Sequence, residues 1–410
     1  MTANRMVGLR GRLAAGLGDN ILNMASNVPV TLLVARYGDS EGLELGSVGV
    51  ALLTLNLASG VATAVGVETL TIVRPAGEER SRSAEQQTMT MAVAVGIFGA
   101  GIGITVLFAT GIATVASLAI LAFLPILVLQ RQLRLTGHIL DEHSRSARNS
   151  GLWLATSAGL FLAWLVLATP TPAVIVAVWL AGACTSVVHY FKTWDLAMEL
   201  RPRWPGRDVR RTSVSLGFEF LVDRGSLDLV AILLSATFGR VFAGQLRLAQ
   251  TLFGASNLLV GSARPTLLAE TRRRVEREAP GQARFVVACS VAMAAIPLAI
   301  TFALVLLGEG LFVTLFGASA AGAFALVPLL GSRRVFRNLA GGPILYLRVA
   351  DELRISRNLR VLSGALVVVV AAVLSLLASA EGALLGIALV AGVMAVVWGL
   401  VAKRSLGRHS

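Results

Sequence analysis

Long apolar runs recur along the whole chain, and arginines cluster in every second gap between them. This alternation constrains the fold more than any other feature. A run of about 20 apolar residues crosses a hydrocarbon layer roughly 30 Å thick. A chain that does so must satisfy its backbone polar groups internally, which leaves helices or closed barrels. Barrel strands read as short alternating segments. These runs are long and continuous, so they read as helices. Composition agrees: 55% of the 410 residues are hydrophobic and 14% are charged, too little charge to cover a soluble protein of that length.

On the length criterion about twelve spans are expected. They lie at roughly 14–37, 46–73, 89–109, 112–130, 151–169, 173–191, 213–237, 242–264, 285–307, 320–347, 361–379 and 382–402. Basic residues gather before span one (Arg5, Arg10, Arg12) and after span two (Arg74, Arg80, Arg82). They gather again after span four (Arg131, Arg134, Arg145, Arg148), after span six (Lys192 to Arg211) and after span eight (Arg264 to Arg284). Arg348, Arg354, Arg357 and Arg360 follow span ten, and Lys403, Arg404 and Arg408 form the tail. The opposite gaps are short and hold Asp39, Glu41 and Glu44, a Thr-Pro-Thr-Pro stretch, and Glu381. Cytoplasmic loops carry excess Lys and Arg, so both termini are expected on the cytoplasmic side.

The same bias accounts for the formal net charge of +13. No basic stretch is interleaved with aromatics in the manner of a nucleic-acid binder, so no nucleic-acid partner is expected. Cys184 and Cys289 lie in apolar segments and read as small hydrophobes, and the four histidines show no metal-ligand spacing. The first run carries Asp19, Asn20, Asn23 and Asn27. It is too polar for a signal-peptide core, so an uncleaved first span is expected. Neither a Walker A sequence, nor a nucleophile elbow, nor a zinc-binding helix motif occurs. With outer gaps too short to hold an active site, transport is expected in place of enzymology, with no cofactor and no metal.

The longest polar segment, Lys192 to Thr212, divides the chain into two expected six-helix lobes, 1–200 and 201–410. A faint repeat runs across it. Ala35, Tyr37 and Gly38 align with Ala236, Phe238 and Gly239, and the same register pairs Gly16 with Gly217, Asn23 with Arg224 and Asn27 with Asp228. An even number of spans per repeat gives the halves one orientation, related by an axis along the membrane normal.

Ionisable residues inside spans are expensive in lipid and mark candidate sites. Span seven holds Glu219, Asp223, Arg224 and Asp228. Asp223 falls roughly 15 Å from the cytoplasmic end, near the midplane. Arg224 and Asp228 are one helical turn apart, and the acids Glu219 and Asp223 are spaced alike, as suits proton or ion coupling. The alternative is a structural ion pair joining two helices. Span one presents Asn20, Asn23 and Asn27 on one face, for cavity lining or for hydrogen bonds between helices, and Pro29 is placed to kink it. Span ten carries Arg333, Arg334 and Arg337 ahead of Gly341-Gly342-Pro343, a sequence that favours a broken helix. Together with Arg131 and Arg134, these arginines either form a cationic chamber fit for phosphate or anchor helices at the interface. For Arg36, Arg240 and Arg247 the favoured reading is snorkelling to the headgroups.

The stretch Gly18 to Thr71, with Val34-Ala35-Arg36 closing span one, resembles the start of Wzx-type polysaccharide flippases. Their superfamily also holds the MurJ-type lipid II flippases and the MATE drug exporters. Asp228, the Phe238-Gly239 turn, Gly244 and Leu315-Phe316-Gly317 are similar in the second half. The resemblance implies an all-α integral membrane protein with two pseudo-symmetric six-helix lobes around a central cavity. It implies alternating access and movement of a polyprenyl-diphosphate-linked oligosaccharide to the outer leaflet of a bacterial cytoplasmic membrane. Arg224, Arg333, Arg334 and Arg337 are then candidates for the diphosphate, with Asn23 and Asn27 as further cavity residues. The implied partners are the lipid-linked glycan, membrane lipids, and a polysaccharide polymerase with glycosyltransferases. The chain is short for the MurJ type, which has extra helices. A small-molecule antiporter, MATE-like or another twelve-span carrier, is the alternative, and a non-transporting assembly scaffold is a third class.

Overall fold

The computed structural model describes residues 9–38, 43–69, 82–139, 143–194, 207–254, 281–317, 320–350 and 352–409, with short pieces between 256 and 275. Regular structure among the described residues is helical throughout. The chain forms two compact units, Met1–Leu221 and Val222–Ser410.

The first unit contains α1 (Leu9–Tyr37), α2 (Leu43–Ala62), α3 (Arg82–Ala109), α4 (Val115–Ala122), α5 (Leu124–Ile139), α6 (His143–Leu167), α7 (Pro172–Trp194) and α8 (Arg207–Phe220). α2 runs on as a π-helical turn, Thr63–Glu68. It is apolar all round and 67% of its apolar window is buried, against 11% for α6. α2 is therefore the central helix of this unit, whereas α6 turns Leu162, Val166 and Leu167 outward, as lipid contact requires. Thr114 and Ser117 form a reciprocal capping box that starts α4. The Thr114 hydroxyl also meets Ser47 Oγ at 2.6 Å, which ties this cap to α2. Pro172 opens α7, where a missing N–H costs no helical hydrogen bond. Trp153 Nε1 donates to the Trp179 carbonyl at 3.0 Å, joining α6 to α7 in the core.

The second unit begins inside a π-helical stretch, Leu221–Gly225. It continues through α9 (Ser226–Phe238), α10 (Arg240–Leu252), α11 (Gln282–Phe316), α12 (Ala321–Leu339), α13 (Gly341–Val349), α14 (Leu353–Leu377) and α15 (Ala380–His409). Its core holds Val286, Ala340, Tyr346, Leu347, Met394, Trp398 and Ala402. α11 packs along α12 and α13, and α15 packs along α12 and α14.

Seven described helices are long and apolar enough to cross a membrane. α4 and α5 add an eighth if their 52° bent pair is one span. The molecule is thus a multi-pass integral membrane protein. Each of the twelve expected stretches contains helix. The expected span 213–237 is helical without a break, α8 passing through a π-helical turn at Leu221–Gly225 into α9. The expected span 320–347 breaks at Ala340 into α12 and α13, as Gly341-Gly342-Pro343 suggested. A side chain on Gly342 would run into the Val286 carbonyl, so the glycine lets α13 lie directly on α11. α5 continues to Ile139, past the expected end at 130, so Arg131 and Arg134 are helical residues and not loop residues. α11 changes direction at Gly308, whose φ of 72° and ψ of 156° only glycine adopts readily. The long helix therefore divides close to the expected end of span nine, at 307. Pro29 lies within a continuous α1.

Candidate functional site

Three helical faces and the start of a fourth helix meet in one pocket of the second unit. α12 and α13 contribute Arg333, Arg337, Ala340 and Ile344, a single face that carries through the break at Ala340. α14 contributes Arg360, Ser363, Gly364 and Val367, and α15 contributes Ala391, Met394, Ala395 and Trp398. Both sets follow the i, i+3, i+4, i+7 spacing that places side chains on one side of a helix. Ser226 and Leu227, the first residues of α9, close the remaining side. The pocket is a small cavity of about 60 Å³ that opens to the surroundings.

The lining mixes charged and apolar side chains. Arg333 and Arg337 are half-buried on consecutive turns of α12, and Arg360 is only 6% exposed. Arg360 Nη2 donates to Ser356 Oγ at 3.3 Å, which holds its stem along α14. Ile344, Val367, Met394 and Trp398 supply the large apolar groups. Gly364 permits this closeness: a Cβ there would meet the backbone carbonyl of Val222. Asp228, in the first turn of α9, lies within electrostatic reach of both Arg333 and Arg247. Arg337 and Arg334 add positive charge beside Arg333. The described groups around the pocket therefore carry excess positive charge, presented as planar forks that suit phosphate or carboxylate oxygens.

The first unit has a different polar centre. Asp19 on α1 is fully buried. Ser150 Oγ donates to its Oδ1 at 2.5 Å, and Arg134 Nη1 lies 3.4 Å from its Oδ2. Arg134 also donates to Asn20 Oδ1 at 3.3 Å. One turn back, Arg131 Nη1 donates to Asn56 Oδ1 at 3.1 Å. Gln132 Nε2 donates to Thr63 Oγ1 at 2.9 Å, at the π turn of α2. Arg131 and Arg134 are therefore cross-links inside this unit. The π turn frees a carbonyl as well, since Ser213 Oγ donates to the Val65 oxygen at 2.9 Å.

The candidates named from the sequence are dispersed. Arg333 and Arg337 share the pocket. Arg334 turns away, donates to Asn257 Oδ1 at 2.6 Å and sits 5.0 Å from the centroid of the Phe253 ring. Asn23 and Asn27 belong to the first unit, where Asn27 Nδ2 donates to the Asn23 carbonyl at 2.6 Å and reaches its Oδ1 at 3.3 Å. Glu219, Asp223 and Arg224 stand on the helical and π-helical backbone before α9, and their side chains lie outside the described residues. Arg247 is half-buried, and its Nε has no hydrogen-bond partner among the described residues. Arg36 and Arg240 are exposed. Both cysteines are free, Cys289 buried and Cys184 half-buried, and no cluster fit to hold a metal occurs among the described residues. Sequence reasoning missed Arg360, which counted as a loop residue after span ten. The readable signal was Arg360, Ser363, Gly364 and Val367 at helical spacing, which extends the helix back past 361.

The chain matches no protein-family model and no curated protein. Solved structures match it over nearly its whole length. An inward-facing multidrug resistance MATE family transporter of the MOP superfamily aligns with a TM-score of 0.70 at 13% identity, covering 97% of this chain and 98% of the other. An outward-facing conformation of such a transporter gives 0.60 at 13% identity, covering 98% and 96%. A MOP superfamily transporter from Pyrococcus furiosus, described by a reversed polarity of its binding pocket that suggests a different function, gives 0.52 at 13% identity, covering 97% and 96%. At this identity the likeness establishes the fold: the chain has the architecture of MATE-type transporters of the MOP superfamily.

Proposed function

We propose that this protein is a flippase that moves a polyprenyl-diphosphate-linked oligosaccharide from the cytoplasmic to the outer leaflet of a bacterial cytoplasmic membrane. One observation carries the reading: Arg333 and Arg337 line a pocket together with the apolar side chains of Ile344, Val367, Met394 and Trp398. A lipid-linked diphosphate needs cations to offset its desolvation and hydrocarbon for its tail, and this pocket offers both.

In this reading twelve spans form two pseudo-symmetric six-helix lobes around a central cavity, with both termini cytoplasmic. Arg224 assists the diphosphate, Asn23 and Asn27 line the path of the sugar, and Glu219, Asp223 or Asp228 couples the cycle to ions or protons. Glycosyltransferases and a polymerase supply and consume the glycan.

The test is transport of a fluorescent polyprenyl-diphosphate oligosaccharide in proteoliposomes. Arg337→Ala and Arg224→Ala are expected to abolish it while the protein still inserts. Wild-type rates in both variants would overturn the diphosphate clamp. The second reading, a small-molecule antiporter, draws on the multidrug transporters that share the fold. Export of a cationic dye without lipid movement would favour it.

A further inference from the structure

We infer that the first unit holds a buried water site between α5, α6 and α7, in which Gln130, Asn149 and Ser186 bind internal water one helical turn beyond the Asp19–Arg134 pair.

Helix spacing brings these groups to one level. Gln130 stands one turn before Arg134 on α5, and Ser186 stands one turn before Tyr190 on α7, so each shares a face with that neighbour. The neighbours already meet. The Tyr190 hydroxyl lies among Asn149, Ser146, Asp19 and Arg134, and Ser146 Oγ donates to the Arg134 carbonyl at 3.2 Å. α6 packs against both α5 and α7. Along α6 the contacts climb from Ser146 to Trp153 while those on α7 fall from Tyr190 to Trp179, so the two helices run antiparallel. One turn inward from Arg134 on α5 and from Tyr190 on α7 therefore arrives level with Asn149. All of these residues belong to the first unit.

Gln130, Asn149 and Ser186 are at most 1% exposed. Neither polar atom of the Gln130 amide has a hydrogen-bond partner among the described residues, nor do Asn149 Oδ1, Ser186 Oγ and Arg134 Nε. Buried polar groups are paired as a rule, and the chemistry of this set says with what. Gln130 Nε2 and Arg134 Nε are donors that need an acceptor, and a cation accepts nothing. Gln130 Oε1 and Asn149 Oδ1 are acceptors that need a donor, and a simple anion donates nothing. Turning the Gln130 amide over leaves one donor and one acceptor in need all the same. Water gives and accepts at once, and an internal water makes about three such bonds. Arg134 supplies the way in: its side chain is 12% exposed, whereas the Asp19 carboxylate beside it is 0% exposed. The bound water ties three helices together where the ion pair ends.

The test is millisecond X-ray radiolysis of the full-length protein in detergent, read by mass spectrometry, with water itself as the probe. Hydroxyl radicals born from a bound water oxidise the side chains beside it where bulk solvent does not reach. Tyr190 and Tyr346, the latter in the second unit, are 0% and 1% exposed, so they are matched in chemistry and in burial. Tyr190 is expected to be oxidised several-fold faster than Tyr346, and equal slow rates overturn the site. This comparison needs no variant. Gln130→Met, which keeps nearly the same volume without the polar atoms, gives a second readout. With water bound, the substitution removes one of its partners, so the melting temperature falls by about 2–4 °C and Tyr190 oxidation drops towards the Tyr346 rate. With a dry amide, removing two unpaired atoms raises the melting temperature, and a rise or no change overturns the proposal. Tyr190 oxidation that increases several-fold when sodium is replaced by choline would assign the site to a cation and overturn it as well.

Discussion

Arg134 Nη1 stands 3.4 Å from Asp19 Oδ2, and this ion pair joins α5 to α1 in the interior of the first unit. The carboxylate is fully buried and Ser150 supports its other oxygen. A buried pair adds little net stability, but losing one member strands the other charge. Asp19→Ala is expected to destabilise the protein by about 3 kcal/mol, and Arg134→Ala by a similar amount. The double variant should cost less than the sum of the two. Thermal unfolding of the three variants in one detergent checks this, and strict additivity would show that the pair is not coupled.

Gly364 faces the carbonyl of Val222 with no room for a side chain. Gly364→Ala must therefore push α14 away from the π-helical stretch that precedes α9. A loss of about 1–3 kcal/mol is expected from overpacking. Because Gly364 lines the same pocket as Arg333 and Arg337, slower transport should accompany the lower melting temperature. A melting temperature at or above that of the parent would show that the helices separate freely.

Gly308 has φ 72° and ψ 156°, a region closed to other residues without strain. Gly308→Ala is expected to cost about 1–3 kcal/mol, although nothing within 4 Å would touch the added methyl group. The effect is purely a backbone one, so Gly308→Val should be no milder than Gly308→Ala. Stability of both, measured against the parent, separates backbone strain from packing.

Sidedness is open to direct chemistry. Ser379, between α14 and α15, is exposed, as is Arg404 near the end of α15. In a Cys184→Ala, Cys289→Ala background, Ser379→Cys is expected to react with an impermeant maleimide added to intact cells. Arg404→Cys should react only after permeabilisation. The opposite pattern would invert the topology drawn from the arginine clusters.

Much of the fold was legible. Apolar runs placed helix in every expected stretch, and Gly341-Gly342-Pro343 signalled the break that the structure shows at Ala340. The site was legible only in part. Arg333 and Arg337, one turn apart, had to share a face. Arg334, three residues before Arg337, could have joined them by spacing alone, but it meets Asn257 and Phe253. Arg131 and Arg134 read equally well as anchors or as interior groups, because span length cannot say whether a charged residue near a helix end meets water, lipid or a buried carboxylate.

What the sequence by itself determined is the solvent and the secondary structure. Runs of apolar residues long enough to cross hydrocarbon leave the backbone no partner but itself, so helices and many crossings follow from one dimension of information. Only the tertiary structure decided that Arg360 joins Arg333 and Arg337 in one pocket with Met394 and Trp398, and that Arg134 belongs to Asp19. Periodicity tells which side chains share one side of a helix. Which sides of different helices meet depends on packing between residues far apart in the chain, and that appears only in three dimensions.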